Sequence, residues 1–207
     1  MISPQRVAIF ASGSGSNAEA LISKAKQNKI YAVVCLVCDQ PEAIVIERAK
    51  NLKVPVEVIE KNKAENKKEY EDRILKVMTR YGVQWIVLAG FMKILSQHFL
   101  GYFYDKILGQ NRVINIHPSL LPLHRGLNGY EKSFADDSDY AGCTVHFVDS
   151  GVDTGQIIDQ KVMVKVKDED FESFKARGLK NENEFYPEVL EKLVVNKIRL
   201  GTFDDKK

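Results

Sequence analysis

Between Arg6 and His117 the chain alternates between two hydrophobic periods, and this alternation limits the fold more than any other feature. Short apolar runs at Arg6–Phe10, Tyr31–Cys38, Val54–Ile59, Gln84–Ala89 and Val113–His117 read as strands. Amphipathic stretches at Ala18–Asn28, Ala43–Leu52, Lys67–Tyr81 and from Ser96 through Tyr102 read as helices. Strands joined through helices must run parallel, because a parallel crossover needs a dozen or more residues. Alternation at these lengths therefore predicts an α/β fold: a mostly parallel twisted sheet with helices on both faces, Rossmann-like in its N-terminal half. Pro55 assigns its strand to an edge. Gly82 ends the third helix, Ser96 caps the fourth, and Lys61–Lys68 reads as a solvated basic linker.

Beyond Pro122 the texture changes. Leu123–Ser138 reads as loop plus a short helix, and Cys143–Val148 and Ile157–Val166 as strands that add to the sheet in antiparallel fashion. Asp149–Gly155 is a turn-rich loop. Two helices are expected at Asp170–Arg177 and Asn183–Ile198, split by Gly178, with Pro187 in the first turn of the last or kinking it. The expected organisation is one domain, 1–207: a phosphate-binding half (1–112), a catalytic half (113–200) and a mobile tail (201–207).

Composition narrows the classes. A net charge of +2 over 207 residues implies no broad pull toward nucleic acid or membrane. No apolar run reaches membrane-spanning length, and Met1–Phe10 lacks a signal-peptide pattern, so a cytoplasmic enzyme is expected. The three cysteines do not form a disulfide framework. Cys35 and Cys38 make a C-x-x-C, but an offset of three on a strand puts them on opposite faces, as buried thiols.

Two stretches carry chemistry. The first is Ala11-Ser-Gly-Ser-Gly-Ser-Asn17, between a strand and a helix. Glycines let backbone approach a phosphate, and the helix end offers free N–H groups, with Ser16 and Asn17 as capping residues. Gly13, Gly15 and Ala18 also satisfy G-x-G-x-x-[G/A], with Asp39 following the second strand, so a dinucleotide-binding module is an alternative. The second stretch is Ile114-Asn-Ile-His-Pro-Ser-Leu-Leu-Pro122. Alternation points Asn115 and His117 to one face and Ile114 and Ile116 to the other, and Pro118 stops the strand at the histidine. Ligands in open α/β sheets bind just beyond such ends. Asp153, between Gly151 and Gly155, can be bent inward. Beside His117 it would raise the imidazole pKa, while Asn115 would donate to a developing oxyanion. No metal-ligand spacing occurs. The constellation fits direct attack on a carbonyl. His146, flanked by Val145 and Phe147, reads as a structural strand histidine, and His98 and His124 have no evident partner.

Five segments in order, Ser12–Asn17, Val87–Leu95, Asn115–Pro122, Thr144–Val148 and Val152–Ile158, resemble the phosphoribosylglycinamide formyltransferases. The resemblance implies transfer of a formyl group from 10-formyltetrahydrofolate, as co-substrate and without a metal, to the amine of phosphoribosylglycinamide. Asn115, His117 and Asp153 would then be the catalytic trio. Ser14, Gly15, Ser16 and Asn17 would hold the substrate phosphate, and Glu182 would contact the same substrate. Met92, Lys93, Ile94 and Leu95 would line the folate pocket, Asp149, Ser150, Gly151, Val152 and Asp153 would close over the pteridine, and Lys67 would meet the folate. The only implied partners are these small molecules, on a monomer or a homodimer. Lys67 and Lys93 stand where the family usually has Arg, which removes a planar fork. Asn128-Gly-Tyr130 replaces a histidine-rich stretch, and Arg125-Gly-Leu-Asn128 looks more like formyltransferases acting on other amines, amino sugars included. The transfer-RNA and hydrolase relatives normally carry a further domain, for which 207 residues leave no room.

Overall fold

The computed structural model describes residues 4–195. Strands β1 (Gln5–Ala11), β2 (Tyr31–Cys38), β3 (Val56–Val58), β4 (Trp85–Leu88) and β7 (Val113–His117) are parallel. Helices α1 (Ser16–Asn28), α2 (Ile44–Asn51), α3 (Lys67–Arg80) and α4 (Gln97–Gly101) connect them. A small hairpin, β5 (Tyr104–Asp105) with β6 (Gln110–Asn111), precedes β7 and has no counterpart in the sequence reading. Then come α5 (Gly129–Ala135), β8 (Tyr140–Phe147), β9 (Ile157–Val164) and α6 (Phe171–Val194). The seven-stranded sheet runs β3-β2-β1-β4-β7-β8-β9, with β8 and β9 antiparallel. The predicted α/β class holds, and the Pro55 strand is indeed at the edge.

Period two divides the core. On β1, Val7, Ile9 and Ala11 face α1, α2 and α6, while Ala8 and Phe10 face α3 and α4. All five are fully buried, which is why β1 reads as a continuous apolar run rather than an alternating one. Each large side chain so buried stabilises by roughly 1.5–3 kcal/mol. Cys35 and Cys38 fall on opposite sides of the sheet, both buried. α3 begins with a capping box. Asn66 accepts from Glu69 N, and the Glu69 carboxylate accepts from Asn66 N, both at 3.0 Å. Lys67 and Lys68 therefore open the helix, as its pattern predicts, and the basic linker ends before them.

The two expected C-terminal helices are one. α6 is continuous through Gly178 and carries Pro187 inside it. Its apolar face, from Phe174 to Leu193, is buried against α1 and the sheet, and tertiary burial overrides two poor helix formers. Tyr186 Oη lies 2.9 Å from Leu88 O and 3.1 Å from Ile114 O, tying α6 to the carboxyl end of β4 and to the start of β7. Gly178 marks a close crossing: a β-carbon there would sit 2.3 Å from Tyr130 Cε1. The 201–207 tail and the end of the last helix expected at Ile198 lie outside the described residues.

Gly178→Ala is therefore expected to destabilise the fold by about 1–3 kcal/mol through overpacking, measured by urea unfolding. In a Tyr130→Leu background the same change should stabilise, by up to about 1 kcal/mol of helix propensity. Equal effects in both backgrounds would show that the crossing is not what selects glycine.

Candidate functional site

The winding of the sheet reverses between β1 and β4. The turn after β1 and the loop after β4 consequently diverge, and open sheets bind ligands in the crevice so formed. A cavity of about 550 Å³ lies there, lined by Gly13–Asn17, Leu88–Leu95, Asn115–Pro118, Gly126–Tyr130, His146, Asp153 and Glu182 among others. That volume suits a small-molecule site.

At one end is the glycine-rich turn. Gly15 has φ 80, and a β-carbon there would lie 2.3 Å from Val45 Cγ2, so conformation and close approach both demand glycine. α1 starts at Ser16, two residues before the expected Ala18. Ser16 and Asn17 occupy its first turn instead of capping it, and no side chain caps the helix. Its leading N–H groups are thus open to a ligand. Asn17 Nδ2 donates to Glu182 Oε2 at 2.6 Å, and the Tyr130 hydroxyl donates to Glu182 Oε1 at 2.5 Å. Burial raises the Glu182 carboxyl above its ordinary value, although both donors pull the other way. Among the described residues no donor meets the buried Asn17 Oδ1.

At the other end Asn115 and His117 project from β7 as alternation requires. His117 is 4% exposed. Its Nδ1 lies 3.2 Å from Asp153 Oδ2, and its Nε2 donates to His124 O at 2.8 Å. The sequence led us to expect a raised imidazole pKa. Burial instead holds His117 below the usual histidine value, outweighing the His124 carbonyl and the Asp153 charge, which both raise it. Burial also works against the Asp153 carboxylate, but donation from His146 and from Gly126 N, with the charge of the two histidines, carries it below the usual range. Asp153 itself takes the left-handed backbone, φ 50. Its flanking glycines serve close approach instead: a β-carbon on Gly155 would fall 1.8 Å from Phe147 O.

His146 is the residue that sequence reasoning missed. In the antiparallel register it stands opposite Asn115. Its Nδ1 donates to Phe147 O at 2.8 Å, leaving Nε2 3.2 Å from Asn115 Nδ2 and 3.4 Å from Asp153 Oδ1. The T-V-H-F-V alternation held the signal, but the strand register needed to read it was not available. His98 and His124, expected to lack partners, pair with Asp72 at 2.9 Å and Asp136 at 2.5 Å.

Between the two ends, Met92 and Ile94 leave 66% and 53% of their surface exposed beside Lys93, Asp149, Gly151 and Val152. Leu95 is buried in the floor. The cavity wall does not include Lys67, which is exposed at the start of α3, or Ser150, whose hydroxyl accepts from Gln97 Nε2. Asp39, the acid of the dinucleotide alternative, is 4% exposed and already engaged: Ser12 Oγ donates to it at 2.5 Å and Lys93 Nζ lies 3.5 Å away. A ribose hydroxyl would have to compete with both for the same carboxylate.

Comparison with known proteins agrees with this geometry. The sequence model of the formyl transferase family matches residues 5–190. The phosphoribosylglycinamide formyltransferase of Bacillus subtilis is 38% identical over 92% of this chain and 95% of its own. The crystal structure of phosphoribosylglycinamide formyltransferase from Bacillus halodurans superposes with a TM-score of 0.85 at 35% identity, covering 95% of this chain and 98% of that one. Glycinamide ribonucleotide transformylase 1 from Geobacillus kaustophilus gives 0.84 at 38%, covering 92% and 99%. The chain belongs to the formyl transferase family and, within it, to the phosphoribosylglycinamide formyltransferases.

Proposed function

We propose that this chain transfers the formyl group of 10-formyltetrahydrofolate to the amine of 5'-phosphoribosylglycinamide, a step of purine biosynthesis. One observation carries the reading. Asn115, His117 and Asp153 converge at one end of a cavity whose other end is a glycine-rich turn and an uncapped helix terminus. The names of the relatives support the same substrates. The 1–112 half would hold the phosphate and the 113–200 half would do the chemistry. A monomer or a homodimer, and a cytoplasmic location, accompany the reading. No helix among the described residues is long and apolar enough to cross a membrane.

In this reading Ser14–Asn17 hold the phosphate through backbone N–H groups. Asn17 Oδ1 accepts from a sugar hydroxyl beside Glu182. Met92–Leu95 and Asp149–Asp153 cover the folate, where the exposed apolar side chains of Met92, Ile94 and Val152 suit an aromatic ring. Lys67 meets the folate outside the cavity wall. The folate supplies the formyl group and leaves with a proton in its place. Asn115 donates to the formyl oxygen as the amine's attack puts charge on it, such a donor contributing roughly 10²–10³-fold, and the charged His117 ring, held between Asp153 and His124 O, stabilises the same oxyanion through its field. Asp153 orients the imidazole and favours its charged form. The attack forms the new C–N bond and a tetrahedral intermediate; the amine's surplus proton then passes through the His117–Asp153 pair to the folate nitrogen, whose bond to the formyl carbon breaks as the carbonyl re-forms. Holding both substrates in one cavity supplies the rest.

A second reading, transfer to an amino sugar, is favoured by Asn128-Gly-Tyr130, with Tyr130 placed on Glu182. Absorbance at the folate chromophore separates the two. Conversion to tetrahydrofolate should depend on phosphoribosylglycinamide, and amino sugars should leave it unchanged. The reverse pattern would select the second reading.

His117→Ala and Asp153→Asn should each retain the wild-type circular dichroism spectrum while turnover falls by ~10²–10⁴-fold. Near-normal turnover in both would remove this mechanism.

The pH behaviour has a definite sign. Burial favours neutral His117 and the Asp153 anion opposes it, so removing the anion leaves burial less opposed. By ¹⁵N NMR the His117 ring should titrate below an ordinary histidine, and lower still in Asp153→Asn. An upward move in that variant would contradict the assignment.

A further inference from the structure

The segment from His124 to Gly126 touches the His117–Asp153 pair twice, each time through backbone. His124 O accepts from His117 Nε2 at 2.8 Å, and Gly126 N donates to Asp153 Oδ2 at 2.9 Å. That carboxylate oxygen is the one facing His117 Nδ1. Three residues therefore bracket both partners, and the aim of one carbonyl fixes the rotation of the imidazole.

What fixes that carbonyl is the His124 side chain. His124 has φ 54, a region that residues with a β-carbon seldom occupy without local restraint. Its Nε2 lies 2.5 Å from Asp136 Oδ2. Asp136 is the C-cap of α5. It also holds Lys165, next to the end of β9, through both its carboxylate and its carbonyl. The tether thus runs from two regular elements to the carbonyl behind His117. Other contacts hold the loop's flanks: Ser119 Oγ donates to Leu123 O at 2.6 Å and Lys132 Nζ to Arg125 O at 3.2 Å. Cutting the tether leaves the loop folded but frees the carbonyl.

We propose that His124, anchored by Asp136, is a positioning residue for the reaction, acting through the backbone bracket on His117 and Asp153. The proposal rests on the reading of those two residues given above. It is tested with the full chain and three variants. His124→Asn keeps a residue that tolerates the left-handed backbone but is too short to reach Asp136. His124→Gln carries an amide nitrogen near the position of Nε2. His117→Ala is the control. His124→Asn should lower kcat by roughly ten- to a hundred-fold, the scale of a displaced reacting group, with KM for both substrates within about two-fold. It should also shift the ¹⁵N resonances of the His117 ring. His124→Gln should recover much of kcat, and Asp136→Ala added to His124→Asn should lower it no further, since both cut one tether. Wild-type kcat and unchanged His117 resonances in His124→Asn, with His117→Ala impaired, would overturn the proposal alone. Full activity in His117→Ala would overturn the underlying reading and the proposal with it.

Discussion

The structure depends on the reversal of winding between β1 and β4. The parallel neighbours β1–β2, β2–β3 and β4–β7 are each joined through a helix, and only β1 and β4 lie side by side without a direct connection, the chain leaving their carboxyl ends in opposite directions. The glycine-rich turn and the Gly90–Leu95 loop are the two lips of this gap. β7, beside β4, brings Asn115 and His117 to its edge, and β8, antiparallel to β7, brings His146 opposite Asn115. A parallel β8 would have left that register unavailable. The antiparallel addition is therefore part of the site as well as of the sheet.

Within the site, burial and charge pairing oppose each other. Two opposite charges about 4 Å apart attract by about 4 kcal/mol at an effective dielectric near 20, while removing each ion from water costs several kcal/mol. His117 and Asp153 show both effects, with burial lowering the imidazole pKa and pairing opposing it. One ring has acceptors on both sides, Asp153 Oδ2 and His124 O. A neutral imidazole satisfies one of them and an imidazolium satisfies both. Such a ring can take up and give back a proton while at least one of its acceptors stays satisfied.

The parts legible in the sequence were those set by local period. β1, β2, β4 and β7 lie within a residue or two of their expected bounds, and Asn115 and His117 share a face. The failures arose where distant residues decide. Gly178 and Pro187 are helix breakers by propensity, yet α6 is continuous because its face is buried from Phe174 to Leu193. His146 resembled a structural histidine until β7 was laid beside it. Asp39 satisfied a dinucleotide pattern, but Ser12 and Lys93 already hold it. The imidazole shift was given the wrong sign because a sequence shows the partner carboxylate and not the depth of burial.

The far end of the cavity shows how long-range coupling narrows a site. Asn17, Tyr130, Gly178 and Glu182 lie on three different elements, yet each requires the others. Both oxygens of Glu182 are taken, by Asn17 Nδ2 and the Tyr130 hydroxyl. The amide of Asn17 is thereby oriented, because turning it over would set oxygen against oxygen. Its Oδ1 is left as a buried acceptor with no donor among the described residues. Tyr130 reaches Glu182 only because Gly178 has no side chain to block its ring. A group placed at Asn17 Oδ1 must bring its own proton. A hydroxyl or an amide N–H does so, whereas a fully ionised phosphate oxygen does not. In the proposed reading the phosphate is therefore matched to the backbone N–H groups of the turn, and the Asn17 side chain to the part of the acceptor that carries donors.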